Sequence, residues 1–258
     1  MTTKRLEFDV VIPIGPSDIC ILSNQLINTK SNIIGFRYIY LICFDINNVK
    51  RAVQNNHNDV IFIDEQIFPF TIEDVASYLG NSKRNGWYLQ QLLKLHAGIV
   101  IPDISDKYLV IDADTFFLKP TTFSTPDGAL LYNFGTEYHQ PYFEHMKRLH
   151  FSFQKQTPYS GICHHMMFQT QIIVEMFHMV ESLHNKPFWR VFLENIDKCH
   201  IPFSGTSEYE IYFNFIIQTG RQIQIRLLKW NNVQYNPIED KNSDDFVYVS
   251  WHSYDRNF

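Results

Sequence analysis

The chain has 258 residues, 45% of them hydrophobic and 19% charged, with a formal net charge of −5. That length carries one large α/β domain or two small ones. The composition excludes a disordered chain, and the acidic balance argues against a nucleic-acid partner, whose usual footprint is a basic face. Cys20, Cys43, Cys163 and Cys199 form no CxxC pair, which speaks against a disulfide scaffold or zinc ribbon and for free thiols in a reducing compartment. No run approaches the roughly 18 apolar residues of a membrane span. The leading MTTKRLEFDVVIPIG is too short for a signal peptide. A cytoplasmic protein is expected, with room for peripheral association with a membrane.

In chain order, FDVVIPIG reads as a buried strand stopped by Pro and Gly, and SDICILSNQLINTK as a helix capped by Ser17 or Asp18. FRYIYLICFD, DVIFIDEQIF and KYLVIDAD read as further strands, with VKRAVQNN, TIEDVASYLG and GWYLQQLLKLHAGIVI as helices between them. In the last of these Trp87, Leu92, Leu95 and Ile99 form an apolar stripe. Strand and helix thus alternate over the first 120 residues, which predicts a mostly parallel sheet with helices on both faces. Beyond that, GALLYNFG, GICHHMMFQ, QIQIRLLKW and FVYVSWHSY read as strands. QIIVEMFHMVESLHN, PFWRVFLENIDKCH and SEYEIYFNFIIQTG read as helices, the last stopping at Gly220. There is no internal repeat and no linker, so a single domain over 1–258 is the simplest account.

Ligands of such sheets bind outside the carboxyl ends of the strands. Asp45, Asp64 and the pair Asp112/Asp114 all fall at predicted strand ends. Two aspartates at i and i+2 in extended chain point the same way and can share a hard divalent cation; the competing reading is a turn that bonds its own backbone. Neither GxGxxG nor GxxxxGK[ST] is present. An aspartyl phosphatase motif, DxDx[TV], is spoiled by Phe116.

IDADTFFLKP resembles the DxD motif of GT-A-fold glycosyltransferases, and its DADT form resembles that of the glycogenin-like enzymes. WYLQQLLKL, GICHHMMF, SEYEIYFN and a late WH resemble, in this order, a bacterial and viral family of GT-A-like glycosyltransferases, from about residue 8 to 254. The resemblance implies an α/β, GT-A-like (Rossmann-like) fold. A nucleotide-binding half would cover about 1–120 and an irregular acceptor half about 121–258. It implies a nucleotide diphosphate sugar as donor, a UDP-sugar first, a glycan or other hydroxyl acceptor, and Mn²⁺ or Mg²⁺ as cofactor.

Carried over by position, Ile12, Pro13, Ile14, Gly15 and Ala113 would contact the nucleotide. Asp112 would reach the ribose or the metal. Asp114 would bind the metal bridging the diphosphate, and His252 would complete the metal site; an imidazole ligand favours Mn²⁺. Gln90 and Lys94 share a helix face. Lys94 is either a point charge for phosphate or a solvated lysine, and Lys83 and Arg84 are lesser candidates for the same task. Gly161 would let backbone approach the donor or acceptor sugar. His164 and His165 point to opposite faces if they lie in a strand, so at most one faces the site.

In SEYE, Ser207 caps a helix and Glu210 sits at the capping-box position, which leaves Glu208 as the freer carboxylate. One of the two would hold the acceptor hydroxyl or act as base. Tyr209 departs from the family's xED pattern and leaves the base and the stereochemical outcome open. Tyr138, Tyr142, Phe143, Tyr159 and Trp189 are candidate sugar platforms, or core. The alternative function is a non-catalytic nucleotide-sugar or glycan-binding module of the same fold; a structural protein with no site is the third.

Overall fold

A computed structural model describes residues 7–53, 58–221, 223–237 and 245–256. The N-terminal part comprises β1 (Phe8–Ile14), α1 (Leu22–Asn32), β2 (Ile33–Ile34), β3 (Phe36–Cys43), α2 (Ile46–Ala52) and β4 (Val60–Asp64). Then come α3 (Ile72–Leu79), α4 (Asn85–Val100), β5 (Lys107–Ile111), β6 (Thr115–Phe117) and β7 (Thr121–Thr122). The remainder comprises β8 (Leu130–Asn133), α5 (Gln140–Leu149), β9 (His165–Gln169), α6 (Thr170–His184), α7 (Phe188–Glu194), α8 (Glu208–Gln218), β10 (Ile223–Arg226), β11 (Trp230–Asn232) and β12 (Tyr248–Ser250).

The central sheet has the order β4-β3-β1-β5-β9, all parallel except β9, which runs antiparallel to β5. Every residue of β1 is buried, as a parallel strand covered on both faces requires. The chain leaves β1 towards β3 and β4 on one side and returns to β5 on the other. Strand order therefore reverses between β1 and β5, and their carboxyl ends flank a crevice. One hydrophobic cluster runs from Phe8 to Tyr248, so both parts of the chain share a core.

A smaller sheet, β11-β12-β6, decides where the late histidine goes. β12 pairs antiparallel with β6, Ser250 facing Thr115, and Trp251 N–H donates to Asp114 O at 2.9 Å. The WH segment is thereby laid beside the turn that follows β5.

Several expectations are corrected. The first helix begins at Leu22 after a 3₁₀ turn over Pro16–Ile21, and neither Ser17 nor Asp18 caps it with a side chain. Asp45 and Asp64 accept from the amides of Asn48 and Gln66 and serve as local caps. α4 is buried almost all round, while Ile99, assigned to its apolar stripe, is exposed. QIQIRLLKW divides into β10 and β11 around residues 227–229, FVYVSWHSY keeps only Tyr248–Ser250 as strand, and α5 was not expected. Its signal is Pro141 in the first turn, followed by buried Tyr142, Phe143, His145, Met146 and Leu149. Residues 54–56 of VKRAVQNN and Gln222 lie outside the described residues.

Candidate active site

At the carboxyl ends of β1 and β5 lies a pocket of about 820 Å³. Pro13, Ile14 and Gly15 reach it from the end of β1, and Asp112, Ala113 and Asp114 from the turn after β5. Gln90 and Lys94 enter from α4, Glu208 from the first turn of α8, and His164 and His252 from two loops. Lys83 and Arg84 also line it, whereas Ile12 is buried within β1.

Lys94 is the centre of one cluster and is 2% exposed. Its Nζ donates to Asp112 Oδ1 and, at 2.7 Å, to Glu208 Oε1. It is therefore a buried cation between two carboxylates, and the solvated reading is excluded. Burial alone disfavours the ammonium, but Asp112 and Glu208 outweigh it and hold the lysine pKa above its ordinary value. Burial likewise acts to raise Asp112, yet the Lys94 charge and the His164 hydrogen bond prevail and its pKa is lowered. Glu208 is pushed up, burial outweighing Lys94. Its amide donates to Gln91 Oε1 at 3.0 Å, which ties α8 to α4. The expectation that Glu208 is the freer carboxylate is thus corrected in detail: it reaches the pocket but is bound to Lys94.

Asp112 is engaged at both oxygens, with one lone pair of Oδ2 still open. Tyr209 Oη donates to its Oδ1 at 2.7 Å, and His164 Nδ1 donates to Oδ2 at 3.1 Å. The DAD segment is a turn rather than extended chain, since Thr115 N–H donates to Asp112 O at 3.0 Å. Its two carboxylates accordingly take different partners. Asp114 Oδ2 accepts from His252 Nδ1 at 2.8 Å. Burial disfavours the His252 cation, but the Asp114 hydrogen bond and charge overcome this and raise its pKa.

Among the described residues no three His, Cys, Asp or Glu side chains form a group able to enclose a metal ion. The donor types nevertheless suit one. Mg²⁺ and Mn²⁺ bind through one or two carboxylates and complete their shells with substrate phosphate and water. A histidine whose Nδ1–H is held by a carboxylate keeps its Nε2 lone pair for a metal. His252 meets that description with Asp114 as the carboxylate behind it, and an ion shared by both side chains requires their hydrogen bond to break; Asp112 is engaged by Lys94, Tyr209 and His164.

Three expected residues stand behind the pocket wall. His165 is 3% exposed; its Nδ1 donates to Cys163 O, and its ring packs against Phe117, Phe123 and Tyr248. Burial pushes its pKa down to about 3. Glu210 is fully buried: it accepts from Ser160 Oγ and Asn214 Nδ2, and its backbone amide, not its side chain, completes the Ser207 cap. Gly161 lies against α8, where an added Cβ would stand 2.5 Å from Phe213 Cβ and 2.6 Å from Tyr209 O. GICHHMMF does not begin as a strand. His164 has φ 59° and turns into the pocket, and β9 starts at His165.

Sequence reasoning did not single out Asp18, Glu65, Glu137 or Tyr254 as pocket residues, nor Tyr209 as a partner of Asp112. Of the candidate platforms, Tyr142 lines the pocket, Tyr138 and Tyr159 are exposed outside it, and Phe143 and Trp189 are core. The carboxylates of Asp18, Glu65, Asp112, Asp114, Glu137 and Glu208 outnumber the cations of Lys83, Arg84 and Lys94.

Among solved structures, two of LgtC are similar to the chain: one of an active-site mutant, the other of the galactosyltransferase in complex with donor and acceptor sugar analogues. Each has a TM-score of 0.51 at 12% identity, covering 95% of this chain and 87% of the LgtC chain. The likeness is one of fold, and the chain has the GT-A-like architecture of LgtC. No curated protein matches it. No described helix is long and apolar enough to cross a membrane. Residues 27–240 match a family described as a family of unknown function (DUF6492), and the chain belongs to that family.

Proposed function

We propose that the protein is a metal-assisted glycosyltransferase that moves a sugar from a nucleotide diphosphate sugar, a UDP-sugar first, to a glycan or other hydroxyl acceptor. The observation that carries this reading is the convergence of Lys94, Asp112, Asp114, His164, Glu208 and His252 on one pocket at the strand-order reversal of a GT-A-like sheet. LgtC, the fold neighbour, is a galactosyltransferase solved with donor and acceptor sugar analogues.

Asp114 and His252, once their mutual hydrogen bond gives way to the ion, would hold Mn²⁺ before Mg²⁺, which supplies charge neutralisation to the leaving diphosphate. The excess of carboxylates in the pocket supports a cation that accompanies the anionic donor. Pro13, Ile14, Gly15 and Ala113 are the surfaces for the nucleotide. Lys94 orients Asp112 and Glu208 and is a fixed positive charge beside the reacting centre. Glu208, with its pKa raised by burial, holds the acceptor hydroxyl and takes its proton. The oxygen–anomeric carbon bond forms while the bond from that carbon to the phosphate oxygen breaks, and the electron pair leaves on the diphosphate.

The engagement of Asp112 by Lys94, Tyr209 and His164, which leaves it only part of its capacity for an ion, favours a second reading, a nucleotide-sugar-binding module without turnover. Thermal stability with UDP, with Mn²⁺ and with both separates the cases from a protein without a site. At 100 times Kd a ligand adds about 2.7 kcal/mol. Stabilisation by UDP that depends on Mn²⁺ is expected, followed by release of UDP from a UDP-sugar on incubation. Binding without release supports the module, and no stabilisation by any nucleotide rejects both. Asp114→Ala is expected to abolish metal-dependent turnover with the fold intact; full activity in that variant removes the metal assignment. Glu208→Gln should lower kcat by about 10²–10⁴-fold with little change in donor KM.

A further inference from the structure

One wall of the pocket is fixed by a side chain outside it. Arg256 Nε and Nη2 donate to Trp251 O at 3.0 and 2.7 Å. Nη1 donates to Ser17 O at 2.8 Å and Nη2 to Asp18 Oδ1 at 2.9 Å. The guanidinium lies over the Trp251 ring, 5.6 Å from its centroid, and the side chain is 2% exposed.

These bonds join segments 239 positions apart in the sequence. Between them Ser253–Asp255 forms a 3₁₀ turn closed by Asp255 N–H to His252 O. The bridge from Trp251 to Arg256 is therefore fixed at both ends, by Trp251 N–H to Asp114 O and by Arg256 to Ser17 and Asp18. From that bridge His252, Ser253 and Tyr254 line the pocket, as does Asp18 opposite. Arg256 is the charge partner of Asp18; without it, Asp18 would join Asp112 and Asp114 as a further negative charge facing an anionic ligand.

We infer that Arg256 is a positioning residue for the nucleoside diphosphate pocket: it clips the 251–256 bridge to the loop after β1, sets His252 in place, and cancels the charge of Asp18. This rests on the nucleotide-sugar reading above. Lysine carries the charge but lacks the planar fork that serves two carbonyls and a carboxylate together. Arg256→Lys and Arg256→Ala therefore separate charge from geometry.

The experiment measures calorimetric affinity for UDP with Mn²⁺, and hydrogen exchange at residues 251–256 without ligand. Arg256→Ala should weaken UDP binding about tenfold or more, the loss of charge-assisted hydrogen bonds, and speed exchange at Asp255 and Arg256's own position. Arg256→Lys should recover affinity only in part and leave exchange fast. Asp18→Asn in the Arg256→Ala background should regain affinity without restoring protection. Wild-type affinity and wild-type exchange in Arg256→Ala overturn the inference, as does full recovery of both by lysine. If the wild type binds no nucleoside diphosphate, the nucleotide reading and the donor role of Arg256 fail together. Unchanged exchange in the variant would then dismiss the clip as well, whereas fast exchange would retain it as a fold contact only. Should Arg256→Ala fail to fold, Arg256→Lys and Asp18→Asn give the same two readouts.

Discussion

Removing Lys94 would leave Asp112 and Glu208 buried beside each other without a cation. Lys94→Met preserves most of the stem volume and deletes only the charge. Breaking a buried ion cluster by removing one partner costs about 3–5 kcal/mol, so the variant should lose that much in urea denaturation at neutral pH. Tyr209→Phe removes a single hydrogen bond to Asp112 and should cost less, about 1–3 kcal/mol. If Lys94→Met is as stable as the wild type, the triad does not exist in solution as described. Both losses should shrink when Asp112 is also changed to Asn, because the shared partner couples the sites.

At the scale of elements, the loop bearing His164 is pressed against α8. Gly161→Ala would push a methyl into Phe213 Cβ and the Tyr209 carbonyl, and the backbone oxygen cannot rotate away. A stability loss of about 1–3 kcal/mol is expected, together with weaker nucleotide binding, since the same shift moves His164 and Tyr209. Unchanged stability would mean that the contact is looser than it stands here.

The elements that make this site were unequally legible. The apolar runs of β1, β3 and β5 and the helical stretches between them are local signals, and the parallel-sheet rule carried them to the end of the sheet where the pocket lies. The histidine choice was not legible, because it depends on φ 59° at His164, a backbone state that nothing in CHH announces. Glu210 resembled a capping-box acid, but Ser160, 50 residues away, claims its carboxylate. The pairing of β12 with β6 and of Arg256 with Asp18 are contacts between distant segments, and single-sequence periodicity carries no information about them.

At the scale of the whole molecule, stability should depend on two histidines far from the reaction. His96 sits among Phe70, Phe177 and Phe188 with Nδ1–H to Leu92 O. His145 donates from Nε2 to Phe192 O and accepts at Nδ1 from Thr206 Oγ1. Burial pushes each pKa down to about 4 from an ordinary 6.5. Between those values the unfolded chain binds protons that the folded chain refuses, so stability falls as pH drops. The contribution is intact above about 6.5 and is lost towards 4, at up to about 1.4 kcal/mol per pH unit for each histidine. Glu208 and Glu210, raised above their ordinary 4.5, pull the opposite way as pH rises. The informative quantity is therefore the difference between the wild type and His96→Leu in Tm from pH 8 to 4.5. The variant should show the shallower decline, and equal slopes would mean that His96 takes up its proton in the fold.

The clip between Arg256 and the loop after β1 has a consequence for how the protein is born. A ribosome adds about 5–20 residues per second and domains condense as they emerge. The central sheet is complete in sequence at Gln169, while β12 and the bridge behind it come more than 75 residues later. Every strand of the sheet is thus synthesised before the segment that walls its crevice, yet one core runs from Phe8 to Tyr248, so the domain condenses as a unit. The crevice and its wall form together, and the capacity to bind arrives with the completed core.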